Sequence, residues 1–193
     1  MKSIVVFCGA SEGYDESYRE AAYNMGAMLA ERHIRVVYGG GRVGLMGALA
    51  DGVLDHNGKI TGVIPKFLQE REIAHPGVTE LIVVDTMHER KLKMQEMSDA
   101  VITLPGGWGT MEEMFEMLTW GQLGLHIKPV GLLNVNGYYE ALKSMSNYMV
   151  QEGFLSEYAN TSLLMSESPE ELLELMNAWT APDMPSVITR QTT

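Results

Sequence analysis

Cysteine is all but absent from this 193-residue chain: Cys8 stands alone, so no internal disulfide can form. A lone thiol fits a reducing compartment. Basic residues are also few, 14 Lys and Arg against 25 Asp and Glu, for a net charge of −11. That balance argues against a nucleic-acid partner, because neutralising many phosphates calls for a basic surface. No apolar run approaches the ~18 residues that cross a bilayer. The short stretch Ile4 to Gly9 after Met1-Lys2-Ser3 is too brief for the apolar part of a signal peptide and has no cleavage site behind it. The expectation is a cytoplasmic protein without a membrane partner. The five histidines, at 33, 56, 75, 88 and 126, show no ligand spacing with Cys8, so no metal site is expected. Linker-like Pro/Gly/Ser stretches, low-complexity segments and internal repeats are missing as well.

What is present is an ordinary globular composition, 46% apolar with 20 glycines. A chain of this length forms one domain and buries roughly 70% of its unfolded surface, enough for a core without staples. Short runs rich in Val, Ile and Leu recur at Ile4–Cys8, Arg35–Tyr38, Ile60–Ile64, Glu80–Val84, Ala100–Leu104, Pro129–Leu133 and Ser162–Met165. Helical periodicity fills the gaps, at Ser17–Glu31, Leu45–Asp55, Met87–Ser98, Met111–Leu123, Tyr138–Glu152 and Glu170–Trp179. Strand and helix in alternation predict an α/β, doubly wound, mainly parallel sheet of about seven strands in a single domain over 1–180. The polar stretch 181–193 reads as a flexible tail.

In such a sheet ligands bind where strands pass into helices. Four of these junctions carry unusual sequence. Cys8-Gly9-Ala10-Ser11 has small residues that let backbone N–H groups of Gly9 and Ser11 approach an anion, or that make a tight turn. Cys8 itself reads as a small buried hydrophobe. Gly39-Gly40-Gly41-Arg42-Val43-Gly44 contains G-x-G-x-x-G at the start of a helix, but it follows the second strand, and the third strand ends at Ile64-Pro65 without the acidic residue that a dinucleotide site needs. What remains is a phosphate cradle at Gly40, Gly41 and Gly44, or glycines serving helix–sheet packing. Leu104-Pro105-Gly106-Gly107-Trp108-Gly109-Thr110-Met111-Glu112-Glu113 repeats the pattern of strand, glycine loop and helix. Here Thr110 and Glu113 can form a capping box, so Glu113 reads as either a cap or a catalyst. Finally, Met87-His88-Glu89-Arg90-Lys91 opens a helix with Arg90 and Lys91 in an apolar sector, which requires a carboxylate or an anionic ligand opposite them. Met94, Met97, Met111, Met114 and Met117, spaced by threes, read as the seam of a homodimer. On the helix after the glycines, Met111, Met114, Phe115 and Leu118 form the expected buried stripe.

Pro105 to Glu113 matches the P-G-G-x-G-T-x-x-E motif of the LOG ("Lonely guy") family, and Met87 to Lys91 matches its second motif. Similarity continues through Val6-Phe7-Cys8-Gly9, Ile64-Pro65-Lys66, Arg71-Glu72-Ile73, Lys128 to Asn134 and Glu152-Gly153-Phe154. The chain thus resembles cytokinin riboside 5′-monophosphate phosphoribohydrolases, of which bacterial members also act on AMP. The resemblance implies a Rossmann-like fold, a homodimer, no cofactor and a nucleoside monophosphate substrate. It makes Arg90 and Glu113 the catalytic pair, and it makes Glu72, Lys91, Thr119 and the stretch Gly107, Trp108, Gly109, Thr110, Met111, Glu112 and Glu113 nucleotide-binding positions. Cleaving an N-glycosidic bond passes through an oxocarbenium-like ribose, which a carboxylate at Glu113 would stabilise while holding the ribose hydroxyls or a water. The alternative is a non-catalytic nucleotide or molybdopterin-type cofactor binder, which would use the glycine loops but would not need both Arg90 and Glu113.

Overall fold

The computed structural model describes residues 1–69 and 73–181. Glu72 and the expected tail from 182 onward lie outside the described residues. Seven strands, β1 (Ser3–Phe7), β2 (Arg35–Tyr38), β3 (Ile60–Pro65), β4 (Glu80–Val84), β5 (Ala100–Thr103), β6 (Val130–Leu133) and β7 (Leu163–Ser166), form one sheet. Its order is β4-β3-β2-β1-β5-β6-β7, and every ladder is parallel. The helices are α1 (Glu16–Glu31), α2 (Gly44–Asp55), α3 (Met87–Glu96), α4 (Trp108–Gln122), α5 (Glu140–Gln151), α6 (Glu157–Asn160) and α7 (Pro169–Ala178). Among the described residues no helix is long and apolar enough to cross a membrane.

Both faces of the sheet are covered, which explains why the central strands read as continuous apolar runs. Along β1, Ile4 and Val6 face the cluster that α1, α2 and α7 supply through Met25, Leu29, Leu49, Val53, Leu172 and Met176. Val5 and Phe7 face the opposite cluster, where Met94 of α3 and Met117 of α4 join Val37, Val63 and Val101. A third cluster sets Met114 against Leu132 and Tyr139. Met94, Met114 and Met117 are therefore core residues. The expected methionine seam is corrected: the sheet's second face needs these long side chains, each contributing about 1.5–3 kcal/mol by burial. Phe115, expected in the buried stripe, is instead 44% exposed, as are Leu92 at 49% and Ile127 at 76%.

Candidate active site

The strand order reverses between β1 and β5, so the chain leaves these neighbours in opposite directions and opens a crevice at their carboxyl ends. Gly9 N–H donates to Pro105 O at 3.0 Å, stitching the two loops together beneath it. Above lies a cavity of about 520 Å³, lined by Cys8, Gly9, Ser11, Glu12, Tyr18, Gly39, Met46, Leu68, Met87, Arg90, Gly106, Gly107, Gly109, Thr110, Glu112, Glu113 and Tyr138, among others. This is the size of a small-molecule site.

Its floor is the start of α4. Gly107 is the N-cap, with φ −90° and ψ −154°, and no side chain caps the helix. The first turn's N–H groups, which have no partner within the helix, therefore offer an anion site reinforced by the helix dipole. Open space surrounds Gly107 and Gly109: a Cβ on either would meet nothing within 4 Å. The expected capping box does not form. The helix begins three residues earlier than expected, which puts Thr110 inside the first turn, 5% exposed and beside Gly106. Glu113, released from a capping role, lines the cavity more than a turn further on. Burial first and the Glu113 carboxylate second raise the Cys8 thiol well above its ordinary pKa. Cys8 behaves as the buried, un-ionised side chain expected of it.

The opposite wall comes from α3. Thr86 caps it, accepting from Glu89 N–H at 3.1 Å, while Glu89 reaches back to Asp85 N–H at 2.9 Å. With the entry fixed this way, Arg90 points inward, 5% exposed, and its Nη2 donates to Gly39 O at 3.0 Å. Lys91 turns away. Its Nζ meets Glu112 Oε1 at 2.6 Å and Glu116 Oε1 at 2.9 Å, tying α3 to α4. Burial alone would lower the Lys91 pKa, but hydrogen bonds and charge from the two glutamates raise it on balance. Lys91 thus meets carboxylates on α4 and lies off the cavity wall.

The structure brings together Gly9, Ser11, Arg90, Gly107, Gly109, Thr110, Glu112 and Glu113. Trp108 sits at the first helical position, 92% exposed, and Met111 packs towards Met114. Thr119 is nine residues along α4 from Thr110, about 13 Å by helical rise. It bonds Phe115 O at 2.7 Å and faces a separate apolar hollow of about 510 Å³. Gly40, Gly41 and Gly44, the expected second cradle, are not among the residues lining the candidate active-site cavity. Gly41 pairs with Ala74, and Gly40 O accepts from His75 N–H at 3.0 Å. Gly44, at φ +62°, lies flush against the Ala10 backbone, while the N–H of Leu45 is taken by Gly9 O at 3.0 Å. These glycines serve packing. The sequence reading missed Tyr18, Tyr138, Met46, Met87 and Leu68 on the walls. Tyr138 and Tyr139 follow β6 at the same sheet edge, so the strand-end rule pointed there, although no glycine motif marked the spot. Among the described residues no group of three or more His, Cys, Asp or Glu gathers as a metal site.

The family described as possible lysine decarboxylase matches residues 46–176. A cytokinin riboside 5′-monophosphate phosphoribohydrolase of Arabidopsis thaliana is 49% identical over 173 residues, 90% of this chain and 81% of that protein. A probable enzyme of the same name from Oryza sativa subsp. japonica is 48% identical over 178 residues, 92% of this chain and 71% of that protein. Among solved structures, a molybdenum cofactor binding protein of Rippkaea orientalis superposes with a TM-score of 0.70 at 23% identity, covering 92% of this chain and 97% of that one. The Moco carrier protein of Chlamydomonas reinhardtii does so at 0.68 and 17%, covering 91% and 94%. At those identities the likeness is one of fold alone. With a family match over more than half of its length and relatives near half identical across nine tenths of it, this chain belongs to the LOG family of phosphoribohydrolases, which carries the description possible lysine decarboxylase.

Proposed function

We propose that the cavity hydrolyses the N-glycosidic bond of purine nucleoside 5′-monophosphates, a cytokinin riboside monophosphate or AMP, releasing free base and ribose 5-phosphate within one domain over 1–180. The observation that carries this reading is the convergence, in one cavity, of an uncapped helix start with Arg90 and Glu113 from two different helices. The N–H groups of Gly107, Gly109 and Thr110 hold the 5′-phosphate, so the ribose is anchored while the base departs. Glu113 faces the anomeric carbon. Its carboxylate stabilises the positive charge that develops on the ribose and accepts a proton from the attacking water. Arg90, confined against Gly39, orients the sugar. Lys91 acts at the margin, by neutralising Glu112 beside the phosphate; Glu72 is carried as a nucleotide-binding residue on the family resemblance alone.

A cofactor carrier would use the same helix start but would need no buried arginine opposite a carboxylate. The relatives near half identical are named as hydrolases, whereas the molybdenum-cofactor proteins share only the fold. Decarboxylation through a pyridoxal Schiff base does not fit the residues: among those described no lysine lines the cavity, and Lys91 is held as a cation by two glutamates. We further infer a homodimer. Its apolar contact would run through the exposed Leu92, Phe115 and Ile127 and not through the buried methionines.

The decisive experiment incubates the protein with AMP and with isopentenyladenosine monophosphate and separates base from nucleotide by chromatography. Base release is expected from at least one, with a loss of about 10²–10⁴-fold in Glu113→Ala. No release from either substrate, or undiminished release by the variant, refutes the reading.

A further inference from the structure

The three consecutive carbonyls where β5 ends and the α4 loop begins are each claimed by a separate donor. Tyr139 Oη donates to Leu104 O at 2.7 Å, Gly9 N–H to Pro105 O at 3.0 Å, and Tyr138 Oη to Gly106 O at 2.6 Å. The last bond matters most for the site. The Gly106 carbonyl and the Gly107 N–H belong to one planar trans peptide and point in opposite directions, so fixing the first aims the second. Two adjacent glycines leave that peptide little intrinsic preference, and an outside constraint is needed to hold it.

The turn that delivers the tyrosines is itself braced. Asn134, 2% exposed, accepts Tyr139 N–H on Oδ1 at 2.8 Å and donates from Nδ2 to Glu140 Oε1 at 2.8 Å. Asn136 Nδ2 reaches Ser17 Oγ at 2.7 Å, joining the turn to the start of α1. The Tyr138 ring stands edge-on to Tyr139 at 5.0 Å and to Tyr18 at 5.9 Å, and it forms part of the cavity wall.

We propose that Tyr138 is a positioning residue whose hydroxyl, by holding the Gly106 carbonyl, aims the Gly107 N–H and the adjoining helix start at the phosphate monoester of the substrate. The proposal rests on the phosphoribohydrolase reading and adds a residue that no glycine motif contains. Tyr138→Phe keeps the ring and removes only the clamp. Because Tyr138 is 39% exposed, water can replace the lost donor and the fold should be spared.

The test titrates ribose 5-phosphate into wild type and Tyr138→Phe by calorimetry and measures AMP turnover and melting in parallel. The expected result is about tenfold weaker ribose 5-phosphate binding, the worth of one well-formed hydrogen bond. KM for AMP should rise by the same factor, with kcat changed by less than about twofold, the signature of lost uniform binding. Tyr138→Leu, lacking the ring as well, should bind at least as weakly as Tyr138→Phe. Unchanged ribose 5-phosphate affinity in Tyr138→Phe, loss of its cooperative melting, or no binding by wild type overturns the proposal. Failure of wild type to release base from both AMP and isopentenyladenosine monophosphate refutes the hydrolase reading by itself, while the titration still decides the role of Tyr138.

Discussion

Gly39 follows β2 where the Arg90 guanidinium lies against the backbone, and replacing it with alanine tests whether that confinement matters. The new methyl would fall well inside contact distance of Arg90 Nη2 and 3.0 Å from Met46 Sδ. Non-bonded heavy atoms of this kind settle near 3.5 Å, so the guanidinium must retreat by about 1 Å. The retreat is into the cavity that Arg90 lines, and the guanidinium gives up the 3.0 Å bond to Gly39 O. Losing one charge-assisted hydrogen bond costs about 1.5–3 kcal/mol, which in a chain of this size lowers Tm by about 3–12 °C. The effect on chemistry should be of similar size in free energy. A 1 Å misplacement of an orienting group costs about 100-fold in rate, or roughly 2.7 kcal/mol of barrier. The assay is base release from AMP by Gly39→Ala, Arg90→Ala and the double variant, each checked for a cooperative melt. If the glycine acts through Arg90, the double variant falls no further than Arg90→Ala alone. A folded Gly39→Ala with wild-type kcat/KM, or a double variant whose losses simply add, refutes this reasoning.

Two further outcomes follow from the same geometry. Gly109→Ala puts a methyl into open space on the first turn of α4, so Tm should hold or rise, alanine being up to about 1 kcal/mol better in a helix, while KM for AMP increases several-fold; an unchanged KM removes Gly109 from the phosphate cradle. Asp99 accepts the backbone N–H groups of Lys2 at 2.6 Å and Ser3 at 3.1 Å, and these bonds hold its carboxyl below the ordinary 3.8. A depressed folded pKa stabilises above the unfolded value and ceases to as the pH falls through the folded one. Asp99→Ala should therefore melt below wild type at neutral pH, with the gap closing under about pH 3.8 as thermal melts across pH will show.

The fold was legible because its signal is redundant: each strand is a short, mostly apolar run alternating with helical periodicity, and every observed strand end lies within a residue or so of its expected place. The start of α4 was not, because Thr110-Met111-Glu112-Glu113 satisfies a capping pattern that Gly107 satisfies equally well through its backbone. Only the loop's attachment to Gly9 and Tyr138 decides between them. The methionines misled for a related reason. A period of three describes one face of a helix, but whether that face meets a second protomer or the underside of the same sheet depends on Val5, Phe7 and Val101 needing cover, which is a tertiary fact. Likewise Gly40 and Gly44 obey a phosphate-loop pattern because close backbone approach and anion binding both demand glycine.

The acidity of the chain, which first argued only against nucleic acids, bears on how it can hold an anion at all. Carboxylates do stand at the cavity, but Glu112 is met by Lys91 at 2.6 Å and Glu12 by Arg19 at 3.3 Å. The exposed Arg19 pair adds little energy; both pairs nevertheless blunt negative charge close to the start of α4. More distant acidic groups are screened over about 8 Å at physiological ionic strength, whereas N–H donors in contact with a phosphate are not. On the proposed reading, recognition by neutral backbone dipoles and one confined guanidinium tolerates a net charge of −11 that a site built from exposed lysines would have to overcome.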